Sequence, residues 1–235
     1  MKIALLGYGK MGKTIERLAL QRGHEIVLKL DKPENQIPIE KATVAIDFSL
    51  PEAAFKNISM CLENGIPVVS GTTGWLKDYE KAVALCKEHQ GAFIYASNFS
   101  LGVNLFFELN RQLAQMMQSF KEYEVRMEEI HHTRKLDAPS GTAITLAEGI
   151  IDHSNYAGWS LGAKAASGSE IPIEAKRIED TPGTHIVTYG SAIDDIEIKH
   201  TAHNRDGFAL GAIIAAEWLI GKTGIYTMKD VLNLG

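Results

Sequence analysis

The stretch KIALLGYGKMG, residues 2–12, restricts the possible folds more than any other part of the chain. A short apolar run ends at Gly7. Gly7, Gly9 and Gly12 then stand at G-x-G-x-x-G spacing, ahead of a helical pattern carried by Met11, Ile15, Leu18 and Ala19. Glycines in this arrangement suit a strand that turns sharply into a helix. The first makes the turn, the second lets a pyrophosphate approach the backbone, and the third lets helix and strand pack closely. The helix start offers free N–H groups and a positive dipole end to phosphate. Asp31 lies 19 residues after Gly12, at the end of the next apolar run. An acid there accepts hydrogen bonds from the adenosine ribose hydroxyls. The expected ligand is a dinucleotide.

The rhythm that begins there continues to about residue 99. Strand-like runs at 2–6, 24–30, 43–48, 66–70 and 92–97 alternate with helical patterns of about a dozen residues. Gly23 and Asn64-Gly65 are placed to end helices, and Pro51 to begin one. This alternation predicts an α/β fold with a doubly wound parallel sheet. After residue 100 the pattern changes. It predicts a long amphipathic helix over 101–119, an alternating strand at YEVRMEEI (123–130) and a helix over 141–152. A Gly/Ser/Ala-rich loop is expected over 153–170, then three strands at 171–179, 184–191 and 196–203. The second part is therefore expected to be an α+β domain with a mixed sheet. The apolar segment 207–220 must be buried and is expected to return to the first domain.

Composition narrows the function classes. A net charge of −5 argues against a nucleic-acid partner, which usually calls for a basic surface. No apolar run reaches the length of a membrane span, and the N-terminus lacks the long apolar core of a signal peptide. Cys61 and Cys86 have no framework spacing and suit reduced residues of a cytoplasmic protein.

The choice between NADH and NADPH stays open at this level. Asp31 favours NADH, whereas Lys32 beside it suits a 2′-phosphate. Gly71-Thr72-Thr73-Gly74 follows a strand and offers hydroxyls and backbone donors on the nicotinamide side.

The other dense group of chemistry is EEIHHTRKLDAPSGTAI, residues 128–144. A histidine titrating near neutrality exchanges protons, and a lysine holds a carboxylate or donates a proton. Ser140-Gly141-Thr142 opens a helix after Pro139, which makes an anion site. Asp137 is placed to orient Lys135 or cap the turn. His131 and His132 point apart on a strand, which weakens a shared metal site, although His185, His200 and His203 can join in space. A solvated loop with Ser140 as an N-cap is the plain alternative.

GYGKMG, DFS (47–49), GTTG (71–74), ASNFS (96–100) and above all HHTRKLDAPSGTA (131–143) closely resemble the 4-hydroxy-tetrahydrodipicolinate reductase (dihydrodipicolinate reductase) family. RDGFALGAIIAAEWL (205–219) is similar to the family's closing helix.

The resemblance implies a Rossmann domain, residues 1–99 and 206–235, and a substrate-binding and tetramerisation domain, residues 100–205. It implies NAD(P)H-dependent reduction of a cyclic imine dicarboxylate, with loss of water, in diaminopimelate and lysine biosynthesis. His131 would be the acid/base residue and Lys135 a proton donor. His132, Lys135, Gly141 and Thr142 would hold the substrate carboxylates. Gly7, Tyr8, Gly9, Lys10, Met11, Gly12, Asp31, Lys32, Gly71, Thr72, Thr73, Ala96, Ser97, Asn98 and Phe99 would line NADH or NADPH. No metal is implied, and the expected assembly is a cytoplasmic homotetramer. Lys10, where many members carry Arg, and the short segment between Asp31 and Thr43 depart from the family pattern. Both bear on cofactor preference.

Three rival readings remain. One is another Rossmann-type dehydrogenase acting on a small dicarboxylate or amino acid. The second is a non-enzymatic NAD-binding redox sensor, and the third a zinc hydrolase.

Overall fold

The computed structural model describes residues 1–31 and 37–234. They form two compact units, Met1–Leu101 with Asp206–Gly235, and Gly102–Arg205.

The first unit carries β1 (Lys2–Leu6), α1 (Lys10–Gln21), β2 (Glu25–Leu30), β3 (Val44–Asp47), α2 (Pro51–Glu63), β4 (Val68–Ser70), α3 (Tyr79–Glu88) and β5 (Ala92–Tyr95). The returning chain adds α6 (Asp206–Leu219), β11 (Gly224–Tyr226) and α7 (Met228–Leu232). The sheet order is β11-β5-β4-β3-β1-β2, and every pairing is parallel. β1, β3, β4 and β5 are apolar almost throughout, because both sheet faces are covered. On one face Ile3, Leu5, Ile46 and Ile94 pack with Ile15 and Ala19 of α1 and Ala212, Ile213 and Ala216 of α6. On the other, Ala4, Leu6, Val68 and Phe93 pack with Ile58 and Leu62 of α2 and Ala82 of α3. The all-round apolar pattern of α6 thus has its expected cause. Gly23 and Gly65 follow their helices with φ of +79° and +68°, conformations that glycine adopts without steric cost.

The second unit carries most of α4 (Leu101–Met117), then β6 (Glu124–His131), α5 (Gly141–Ile151), β7 (Gly158–Leu161), β8 (Glu170–Arg177), β9 (Gly183–Gly190) and β10 (Asp195–Ala202). The sheet order is β10-β9-β6-β8-β7. β9 is antiparallel to β6 and β10, whereas β8 is parallel to β6 and β7, so the sheet is mixed as expected. Its core joins Val125, Met127, Ile173 and Val187 of the sheet to Leu113 of α4 and Leu146 and Ile150 of α5.

Three expectations change. The region 153–170 is not all loop: Gly158–Leu161 forms edge strand β7, four residues too short for a clear period. Residues 75–89 are helical by pattern, between the strand-like runs at 66–70 and 92–97, but the segment begins with a 3-10 turn at Leu76–Asp78 and becomes α-helical only at Tyr79. Beyond the last expected helix the chain adds β11, which extends the parallel sheet to six strands, and then α7. Cys61 and Cys86 are buried free thiols, and burial pushes both up.

Candidate active site

In the first unit the glycine turn is built as its spacing implies. Gly7 has φ +98°, and a Cβ there would meet the Phe48 carbonyl oxygen at 2.1 Å. A Cβ on Gly12 would lie 2.3 Å from the Gly7 carbonyl oxygen, so α1 can start this close to β1 only with glycine there. Gly9 caps α1 and faces open space. Gly7, Tyr8, Gly9 and Asp31 line one cavity of about 490 Å³ with Leu30, Phe48 and Ser49. The cavity, the open backbone at Gly9 and the acid at its rim fit a dinucleotide. Lys10, Met11 and Gly12 form the first turn of α1, with the Met11 side chain packed against the core. Lys32 lies outside the described residues.

The loops after β3 and β4 are tied together by Asp47. Its buried carboxylate accepts from Ser49 Oγ (2.7 Å), Asn57 Nδ2 (2.9 Å), Ser70 Oγ (2.9 Å) and Thr72 Oγ1 (2.8 Å). Burial raises its pKa, and the four donors oppose that shift. The Ser49 amide in turn donates to Thr72 Oγ1 at 2.8 Å. Thr72 is therefore part of the scaffold of the GTTG turn, while Thr73 is exposed. Gly71 packs onto the Phe48 ring. Ala96 packs partly on the core, Ser97 is exposed, and Asn98 Oδ1 accepts from the Ser100 amide at 2.9 Å. Phe99 is buried with its ring 5.9 Å from that of Phe48, so its side chain belongs to the core.

In the second unit, β6 delivers the titratable cluster. Val125, Met127, Glu129 and His131 share its buried face by strand alternation. His132 follows the end of β6 and is half-buried. Burial is the first cause that lowers the His131 pKa. Glu129 opposes it, and Lys135 and Arg177 add to it. His185 of β9 packs edge-on against His131, with ring centroids 5.1 Å apart. Burial, and then His131, push His185 down to about 3, so it is neutral at ordinary pH. His200 stacks near Phe106 at 5.9 Å.

The loop after β6 is clamped by Arg177. Its guanidinium donates to the carbonyl oxygens of Asp137 (2.6 Å) and Lys135 (3.4 Å), and to Glu129 Oε1 (3.2 Å). Lys135 Nζ donates to both Asp137 carboxylate oxygens, at 2.8 and 2.6 Å, and this bond holds the Asp137 carboxyl below its usual range. The Ala138–Pro139 peptide is cis. Ser140 caps α5, its Oγ accepting from the Ala143 amide at 3.2 Å. Gly141 is exposed and Thr142 half-buried at that helix start, with nothing within 4 Å of where a Gly141 Cβ would stand. His131, the Lys135–Asp137 pair and the open start of α5 thus share one end of the second unit's sheet.

Glu129, His131 and His185 hold donor atoms within 4.8 Å of one another, a set a divalent cation can use. The Glu129 carboxylate is already engaged, however, by Arg177 on one oxygen and the Ser140 amide on the other. Hydrogen bonds thus join Glu129 to Arg177 and Ser140, and Ser140 to His185, while His131 Nδ1 stands 3.5 Å from Glu129 Oε2. Sequence reasoning missed Glu129 and Arg177. Glu129 could have been found as the residue two before His131 on a strand; Arg177 comes from β8 and left no local signal.

The N-terminal family model of dihydrodipicolinate reductase matches residues 1–99, and its C-terminal model matches residues 102–232. The chain is 61% identical to the 4-hydroxy-tetrahydrodipicolinate reductase of Christiangramia forsetii, over 99% of this chain and 98% of that protein. It is 35% identical to the enzyme of the same name from Archaeoglobus fulgidus, over 99% of this chain and 100% of that one. A solved dipicolinate-bound dihydrodipicolinate reductase from Paenisporosarcina sp. TG-14 shares the fold, with a TM-score of 0.81 at 23% identity over 98% of each chain. The chain belongs to the 4-hydroxy-tetrahydrodipicolinate (dihydrodipicolinate) reductase family, NAD(P)H-dependent oxidoreductases of diaminopimelate and lysine biosynthesis.

Proposed function

We propose that this chain reduces 4-hydroxy-tetrahydrodipicolinate, a cyclic imine dicarboxylate, to tetrahydrodipicolinate with loss of water. The observation that carries the reading is the grouping of His131, Lys135 and the open start of α5 in one unit, beside a chain that also builds a glycine-rich dinucleotide cradle. We assign residues 1–101 and 206–235 to cofactor binding and residues 102–205 to substrate binding.

In this mechanism the amides of Gly141 and Thr142 and the positive end of α5 bind one substrate carboxylate. His132 and the Lys135 ammonium hold the other, with Asp137 steadying Lys135 until substrate arrives. Loss of the 4-hydroxyl as water leaves a conjugated imine, and a nicotinamide held by the glycine turn would supply the hydride that its C4 takes up. His131 delivers the proton that the neighbouring ring carbon takes up, and Lys135 is the second proton donor of the site. A dianion bound beside the imidazole stabilises its cation and offsets the effect of burial. Turnover requires the reacting ring and the nicotinamide to be brought together with water excluded.

Gly7 to Gly12, Gly71 to Thr73 and residues 96–99 line the cofactor in this reading, Met11, Thr72 and Phe99 through their backbone because their side chains are held in the core and scaffold. Asp31 takes the ribose hydroxyls and favours NADH, with Lys32 accommodating NADPH. Asp31→Ser is expected to raise the NADPH-to-NADH ratio of kcat/KM by roughly tenfold, from the loss of one charge-assisted hydrogen bond and one repulsion. Steady-state kinetics with both cofactors measure it. An unchanged ratio would show that Asp31 does not read the ribose.

The proposed setting is a cytoplasmic homotetramer with no nucleic-acid or membrane partner. The net charge of −5 supports the lack of a nucleic-acid partner; among the described residues no helix is long and apolar enough to cross a membrane. Ile193, 91% exposed beside edge strand β10, supplies apolar surface that a second copy can cover. The test of the function is oxidation of NADH or NADPH with freshly generated substrate. No oxidation with either cofactor would refute it.

A further inference from the structure

Glu129 has no part in the chemistry above, yet its side chain is completely buried at the centre of the site. A carboxylate is kept there only at a cost that its partners must offset. Those partners connect every element of the site. Oε1 accepts from Arg177 of β8 at 3.2 Å, and Oε2 accepts from the Ser140 amide at the start of α5 at 3.0 Å. The same Oε2 stands 3.5 Å from His131 Nδ1 and 3.9 Å from His185 Nε2. Ser140 Oγ, 3.2 Å from His185 Nε2, closes the circuit on the β9 side.

We propose that Glu129 is the positioning residue of the site: it fixes the tautomer and orientation of His131, and through the same oxygen it couples that imidazole to the anion-binding start of α5. The inference rests on the assignment of proton transfer to His131. A carboxylate facing Nδ1 makes that nitrogen the N–H and leaves Nε2 to exchange the proton. Nε2 in turn lies over Gly183, where even a Cβ would come within 3.2 Å. At 3.5 Å the Glu129–His131 contact is longer than a hydrogen bond, as is common for catalytic contacts before substrate is bound. The charged groups around the imidazole are Glu129 from its own strand, Arg177 from β8, and Lys135 and Asp137 from the loop. His185 from β9 faces it as a neutral ring. Of these, Glu129 is the principal group favouring the imidazolium, and Lys135 and Arg177 act against it.

The test is Glu129→Gln beside His131→Ala, with full kinetics against pH and nitrogen NMR of the wild-type histidines. Glu129→Gln keeps the shape and removes the charge. Its kcat is expected to fall by about 10–100-fold at neutral pH, the scale of misaligned acid–base catalysis, while KM for substrate changes less than about 3-fold. The limb of the kcat profile that reports imidazolium is expected to move to lower pH. In the wild-type protein the neutral His131 ring should carry its proton on Nδ1. Wild-type kcat and an unmoved limb in Glu129→Gln, with His131→Ala inactive, would overturn the inference alone. An active His131→Ala would overturn the underlying proton-transfer reading instead. Should Glu129→Gln fail to fold, the wild-type tautomer decides: a proton on Nε2 sinks the proposal.

Discussion

Replacing His131 by alanine is expected to lower kcat by roughly 10²–10⁴-fold, about 3–5 kcal/mol of transition-state stabilisation. The size follows from where the ring sits. It is buried, faces Glu129 and His185, and is held by a central strand, so water is a poor substitute for it. KM for substrate should change little, because the carboxylate contacts are assigned to His132, Lys135 and α5. Lys135→Ala should differ in kind. Its ammonium both binds and donates, so kcat should fall and KM rise together. Stopped-flow oxidation of NADH under single-turnover conditions separates the two. A His131→Ala enzyme that reduces substrate at the wild-type rate in that experiment would remove the imidazole from the mechanism.

The second large effect concerns stability. Gly211 lies in the middle of α6, and a Cβ there would stand 1.7 Å from the Phe99 carbonyl oxygen. No rotamer relieves a clash between a Cβ and a backbone oxygen. Either α6 or the segment after β5 must move, in a core where Ala212, Ala215 and Ala216 are completely buried. Gly211→Ala is therefore expected to destabilise the first unit by roughly 3 kcal/mol, at the upper end of overpacking costs. Thermal unfolding should show a midpoint lower by about 10 °C. Gly149→Ala in α5 is the control. Its Cβ would meet nothing closer than Asn110 Nδ2 at 3.5 Å. Helix propensity should then make it neutral or stabilising by up to about 1 kcal/mol. Equal midpoints for the two variants would contradict the packing argument.

Much of this molecule can be read from local patterns, and the failures have a common origin. β1 to β5 and α1 to α3 emerge from runs of apolar residues separated by Gly23, Pro51 and Gly65, all signals that act within a few residues. The three strands after residue 170 were legible for the same reason. β7 and β11 were not, because strands of four and three residues at a sheet edge carry too little pattern. The site divides along the same line. His131, His132, Lys135, Ser140, Gly141 and Thr142 are neighbours in sequence and were found together. Arg177 and His185 reach the site only through the pairing of β6 with β8 and β9, where His131 faces Arg177 and Glu129 faces His185. Glu129 looked like one more polar residue of an alternating strand. What marks it out is burial of a charge, which local sequence does not reveal.

The return of the chain to its first sheet has a consequence for how the protein is made. Residues 102–205 form their own unit, and all of them are synthesised before α6 and β11. Until residue 226 has been added, the nucleotide-binding sheet lacks an edge strand and the helix that covers Ile3, Leu5 and Ile46. At about 5–20 residues per second, the apolar face so exposed waits for seconds while the inserted unit is complete. The part synthesised first is thus completed last. A chain that ended near residue 205 would carry a complete substrate unit joined to an unfinished and sticky nucleotide fold.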